Sequence, residues 1–158
     1  MMSSESPNTS IVITDASCFI LLDKLDKLSI LQLLFSKVIT TPEIASEFVK
    51  RLPVWVEVIA VRDRELLYDY ADIVDIGEAS AIALAAELPS PTLILDDMRG
   101  RKLASKLSLP YTGTIGLLIL AKERGIIHSL SECFDQVKRT NFRFPEALLR
   151  ALLEKFES

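Results

Sequence analysis

Five acidic side chains dominate the chemistry this sequence could carry. Asp15 follows the β-branched run Ile11-Val12-Ile13-Thr14, and the pair Asp96-Asp97 follows Thr92-Leu93-Ile94-Leu95. Glu47 lies in TTPEIASEF at 40–48, and Glu78 in DIGEASAIALAAEL at 75–88. Carboxylates gathered in one place repel one another and favour a hard divalent cation such as Mg²⁺ or Mn²⁺, which takes oxygen ligands. A cation held that way lowers the pKa of a bound water and offsets charge on phosphoryl oxygens, and a second would stabilise the leaving oxygen. Such hydrolysis needs no serine–histidine pair or reactive cysteine. The single histidine, His128, falls in an apparent loop after Gly125.

The helical acids differ in how they face. Glu78 is the only acid on its helix before Glu87 and shares a face with Ile82, so it leans toward the buried side. The helix dipole favours a carboxylate in the first turn, but a buried charge also needs a partner. On the helix at 42–50, Ile44, Ala45, Phe48 and Val49 mark the apolar face; Glu47 lies on its flank and Glu43 nearly opposite, so Glu47 is the inward acid. Each acid also has an ordinary reading: Asp15 and Asp96-Asp97 could simply cap the helices that follow them. Arg99, Lys102 and Lys106 share one helix face, with Arg101 adding to the charge; they could meet phosphates, though a solvated face is the commoner role. Ser17, Thr112 and Thr114 read as helix caps before ligands, and Cys18, Cys133, Trp55 and His128 as structural.

The elements that must bring these acids together follow from periodicity and punctuation. Residues 11–14 form a strand, and 18–35 are helical, with leucines at spacings of three and four and a possible break at Asp26 or Ser29. A second strand at 37–40 leads to a helix with Thr41 as N-cap and Pro42 at its first position. A third strand spans 54–61, and a short helix 63–70. Gly77 opens a helix over 78–88 that is apolar almost all round and therefore buried. After the fourth strand at 92–95 come a basic helix (98–107), a short edge segment (109–111), a helix to Arg124 ended by Gly125, and two more helices at 131–139 and 145–156. This alternation predicts an α/β domain with a mostly parallel sheet of four or five strands and helices on both faces. In such sheets ligands bind at the carboxyl ends of the strands where the order reverses. Asp15 and Asp96-Asp97 sit at two such ends.

Composition sets the class. The chain has 158 residues, 49% hydrophobic and 25% charged, enough for one core of ordinary size. We expect residues 1–10, MMSSESPNTS, to be a disordered lead-in and 11–158 to be one domain; the lead-in lacks the basic and apolar regions of a secretory signal. The longest apolar stretch, 115–121, is too short to span a bilayer. Two cysteines without metal-ligand spacing are expected as reduced thiols in a cytoplasm. The net charge is −4, whereas nucleic-acid binders are usually basic. Contact with RNA would therefore run through a local basic surface or bound metal.

Together VITDAS at 12–17, TTPEIASEF at 40–48, DIGEASAIALAAEL at 75–88 and LILDDMRGRKLASKLSLPYTGTIGLLILAKERGII at 93–127 resemble the PIN-domain ribonucleases, and most closely a VapC-like toxin subgroup. The resemblance covers about residues 11–140. It implies a PIN-like three-layer α/β/α fold. It matches the family's first aspartate to Asp15, a neighbouring hydroxyl residue to Ser17, the helix glutamate to Glu47, the third acid to Glu78 and the fourth to Asp96-Asp97, with Asp97 preferred as ligand and Asp96 as support. Position 16 is alanine where relatives often carry threonine or serine. The resemblance further implies Mg²⁺- or Mn²⁺-dependent endoribonuclease activity, a homodimer and a cognate antitoxin protein. The alternative is a non-catalytic PIN-fold module that binds RNA or protein.

Overall fold

The computed structural model describes residues 10–157. The expected lead-in thus lies outside the described residues except for Ser10, whose carbonyl accepts hydrogen bonds from Ser36 N (2.9 Å) and Ser36 Oγ (2.7 Å). Five strands form one parallel sheet in the order β3-β2-β1-β4-β5: β1 (Ile11–Thr14), β2 (Lys37–Thr40), β3 (Val56–Val58), β4 (Thr92–Ile94) and β5 (Tyr111–Thr112). Every pair is parallel, with Ile13 opposite Ile39 on one side and Leu93 on the other. Helices flank the sheet: α1 (Ala16–Lys24), α2 (Ser29–Leu34), α3 (Pro42–Phe48), α4 (Arg64–Ala71), α5 (Ile76–Ala85), α6 (Met98–Lys106), α7 (Thr114–Glu123), α8 (Leu130–Lys138) and α9 (Glu146–Phe156). This is the expected three-layer α/β/α arrangement.

The order of strands fixes the location of the site. From β1 the chain first builds outward through β2 and β3, then returns to add β4 and β5 on the other side. The switch point falls between β1 and β4, whose carboxyl ends deliver Asp15 and Asp96-Asp97. Both strands are buried, as central parallel strands are: Val12, Ile13, Leu93 and Ile94 expose nothing.

Helix α5 is the element the site leans on. Every residue from Gly77 to Ala85 is buried. The small side chains of IGEASAIALA let it pack closely against α3, α4 and α6. Its Ser80 Oγ meets Thr41 Oγ1 at 2.6 Å, joining the start of α3 to the middle of α5.

Several boundaries differ from the sequence reading. The stretch 18–35 breaks at Asp26, one of the two positions expected, where φ is a left-handed 56° that aspartate tolerates better than most residues, but the first helix starts earlier, at Ala16, and ends at Lys24. Helix α3 stops at Phe48 because Val49 turns left-handed (φ 59°). The third strand keeps only Val56–Val58 in register with β2 at the sheet edge, with Ile59 N making one further bond to Thr40 O at 2.9 Å. Helix α5 begins at Ile76, not after Gly77, because Asp75 is its cap.

Candidate active site

Asp15 is the N-cap of α1: its Oδ1 accepts from Cys18 N at 2.9 Å. Its Oδ2 accepts from Asp96 N at 3.1 Å, which ties the ends of β1 and β4 together. The capping reading is therefore true of Asp15, and it does not exhaust the residue, because the same carboxylate also lines a pocket of about 80 Å³. Asp15 is 5% exposed. Burial, and next the charge of Asp96, hold its carboxyl well above the usual carboxylate range.

The pocket's other acids are Glu47, Asp75, Glu78 and Asp97. Glu78, in the first turn of α5, is 7% exposed, and its Oε2 is buried without a hydrogen-bond partner. That oxygen lies against the backbone of Gly100 in α6, in the space a Cβ there would take. Glu47 reaches across from α3 onto Gly77, whose Cβ would stand 2.5 Å from Glu47 Oε1. Two glycines thus make room for two carboxylates. Glu43, by contrast, turns away and pairs with Arg64 at 3.3 Å. Asp75 caps α5 by accepting from Glu78 N at 2.9 Å.

Asp96 and Asp97 diverge. Asp97 is exposed, caps α6 by accepting from Arg99 N at 2.8 Å, and lines the acid pocket. Asp96 points to α7: its Oδ1 accepts from Thr114 N at 2.8 Å and its Oδ2 from Thr114 Oγ1 at 2.6 Å. It supplies the cap that Gly113, at the start of α7, cannot. Thr112 Oγ1 donates within its own turn, to Gly113 O. Of the basic helix, Arg101 is the residue held in place: its Nε donates to Leu95 O at 2.7 Å. Arg99, Lys102 and Lys106 lie outside the acid pocket.

With this geometry in view, one family comparison is decisive. The sequence model of the DUF3368 family, described as a PIN domain, matches residues 11–158. The chain belongs to the PIN-domain family. No curated protein matches it. PIN domains are typically nucleases, that is, hydrolases of the phosphodiester bond.

Read as a PIN-domain site, the pocket's electrostatics have a simple cause. Five acids line it and, among the described residues, no lysine, arginine or histidine does. Glu78 is pushed up to about 8, first by burial, then by a hydrogen bond shared with the Asp75 carboxyl and by the charges of Asp75, Asp97 and Asp15. Burial, and then the charge of Asp75, raise Glu47 as well. In each case a proton relieves the repulsion, and a cation would relieve it better. Cys18, behind Asp15, is buried and its thiol is pushed up by burial and by Asp15.

Do these residues fit a divalent metal? Among the described residues, no group of three or more His, Cys, Asp or Glu side chains is arranged to hold a metal ion by itself. Mg²⁺ does not require that: it typically keeps several waters and takes one or two carboxylates with substrate phosphate. A pocket of about 80 Å³ walled by five acids, one of them Glu78 with a buried Oε2 that has no hydrogen-bond partner, has room for an ion with some of its waters. The donor set fits.

The sequence reading passed over Asp75. Starting the helix at Gly77 left Asp75 in the preceding loop. The signal was present: Asp75-x-x-Glu78 is an N-cap acid followed three residues later by glutamate, the spacing of a capping box.

Proposed function

We propose that this PIN domain is a metal-dependent endoribonuclease. The observation that carries the reading is the pocket at the carboxyl ends of β1 and β4, with five acids on its wall and no cationic side chain. Asp15, Glu47, Glu78 and Asp97 are the residues that hold Mg²⁺ or Mn²⁺, directly or through water. Asp96 supports them by fixing β4 to β1 and to α7. When bound, the cation supplies an activated water and offsets charge on the phosphoryl oxygens of the substrate. Asp15, whose two oxygens are held by Cys18 N and Asp96 N, and the buried Glu78 define the position of the ion. The exposed Glu47 and Asp97 face the side from which a phosphodiester enters. Incubating the protein with end-labelled RNA tests this: internal cleavage in Mn²⁺ that stops in EDTA is expected, and cleavage indifferent to EDTA contradicts it.

The VapC-like resemblance supports a finer reading, that of a toxin restrained by an antitoxin protein. The same resemblance supports a homodimer. No described helix is long and apolar enough to cross a membrane. The buried free thiols Cys18 and Cys133 suit a reducing cytoplasm. Growth arrest on expression, absent for Asp15→Asn, is the result expected of a toxin. Unimpaired growth beside active RNA cleavage would remove the toxin role alone.

A further inference from the structure

Between α3 and α5 runs a chain of buried hydroxyls whose direction is fixed by the bonds at its two ends. At one end Ile44 N donates to Thr41 Oγ1 at 3.2 Å. At the other, Ser80 Oγ donates to Gly77 O at 2.6 Å, which uses the single proton of that hydroxyl. The 2.6 Å contact between the two hydroxyls therefore runs one way: Thr41 donates and Ser80 accepts. Both residues are 0% exposed, so neither hydroxyl has bulk water to turn to. The chain begins on the first turn of α3, the helix that carries Glu47. It ends on the carbonyl of Gly77, the residue before Glu78. The same Gly77 seats Glu47, whose Oε1 lies in the space a Cβ there would take.

We propose that Thr41 and Ser80 are positioning residues of the acid pocket: their one-way hydroxyl relay sets the spacing of Glu47 and Glu78, and with it the affinity of the pocket for a divalent cation. The proposal rests on the metal-dependent reading and adds to it two residues that do not line the pocket. Helix chemistry alone does not account for the relay. Thr41 caps α3 as an acceptor, so its proton is spare for the cap and goes to α5 instead. Alanine is the better helix former, and α5 uses it at 79, 81, 83 and 85, yet position 80 is a serine. Leverage supports the positioning role. Glu47 stands six residues beyond Thr41, about 9 Å along the helix axis. A tilt of about 6° at Thr41 would move the base of Glu47 by about 1 Å, and an error of that size in a site can cost on the order of 100-fold.

The test is Mn²⁺ binding by the full chain without RNA, followed by electron paramagnetic resonance of the free ion. Ser80→Ala, a change that a helix of small side chains tolerates, should stay folded by circular dichroism and bind Mn²⁺ roughly 10- to 100-fold more weakly. Thr41→Val should lose a similar factor, and the double variant no more than either single one, because each breaks the same relay. Thr41→Ser keeps the hydroxyl and should bind as wild type does. A tie that served stability alone would lower Tm and leave the Mn²⁺ affinity of the folded chain unchanged. Wild-type affinity in a folded Ser80→Ala, or equal losses in Thr41→Ser and Thr41→Val, would therefore overturn the proposal. Hydrogen exchange in EDTA gives a second, metal-free measurement. The Ile44 amide and the first turn of α5 should exchange faster in Ser80→Ala while β1 and β4 keep their protection, and unchanged exchange there would overturn the relay. The wild type separates the two readings. If it neither binds Mn²⁺ nor cuts RNA, the nuclease reading fails and hydrogen exchange alone decides whether the relay holds the two helices. If it does both and Ser80→Ala matches it, the relay alone fails.

Discussion

Replacing Gly100 by alanine should separate the site from the fold. Gly100 is buried in α6, and a Cβ there would meet one neighbour, Glu78, at its Oε2. To restore ordinary van der Waals contact the carboxylate must retreat by roughly 1 Å. Two stability effects oppose each other. Alanine gains about 0.8–1.0 kcal/mol over glycine within a helix, while a glutamate forced off its rotamer costs about 0.5–1.5 kcal/mol. The net change should stay within about 1 kcal/mol, or roughly 2–4 °C in Tm for a chain of this size. Misplacing a group of the site by about 1 Å can cost on the order of 100-fold in rate. The assay pairs thermal unfolding, followed by circular dichroism, with Mn²⁺-dependent cleavage of labelled RNA. Expected is a near-normal Tm with cleavage lower by about two orders of magnitude. Normal cleavage at normal Tm would refute the view that Glu78 is positioned by the clearance at Gly100. A Tm lower by more than about 10 °C, beyond what these terms allow, would mean that backbone and not a side-chain end resists the methyl group.

The remaining predictions concern charge and anchoring. Glu78 holds its proton up to about 8 in the folded protein against an ordinary 4.5, so the folded state is favoured at low pH and that contribution is lost as pH rises from 4.5 through about 8. Scanning fluorimetry in EDTA should therefore show Tm falling over that window, a shallower fall for Glu78→Gln, and a Mn²⁺-dependent rise at pH 8 in wild type alone; identical pH profiles would count against the burial of Glu78 as its cause. Thr114→Val deletes the 2.6 Å bond to Asp96 and should cost about 1.5–3 kcal/mol in denaturant unfolding, as bonds to charged groups do, with Thr114→Ser near wild type. A neutral Thr114→Val would show that Asp96 is held without it.

The acids that stand at strand ends were readable because a short apolar run followed by aspartate carries both signals locally. Glu78 was readable as the lone early acid on an apolar helix. The division of labour between Asp96 and Asp97 was not, because it depends on Thr114, 18 residues away and on another helix. Nor were the clearances at Gly77 and Gly100, which exist only once α3, α5 and α6 are packed together. The same holds for Arg101: a helical wheel grouped Arg99, Lys102 and Lys106, but the carbonyl of Leu95, just past the end of β4, holds Arg101 in place. The strand reading of VWVEVIAV failed at its ends for a related reason, since local alternation fits a strand throughout while pairing with β2 runs from Val56 to Val58, with one further bond from Ile59 N to Thr40 O.

The central claim is that the acid pocket cuts RNA through a bound divalent cation. Its most direct measurement compares cleavage of end-labelled RNA by wild type and Asp15→Asn at saturating Mn²⁺, with unfolding curves taken on the same samples. Asparagine keeps the helix cap through its Oδ1 but sets an NH2 donor against Asp96 N, which Asp15 Oδ2 accepts from, so Asp15→Asn should unfold at a lower temperature yet remain folded under assay conditions, and lose cleavage by several orders of magnitude. Cleavage at the wild-type rate by a folded Asp15→Asn would contradict the account.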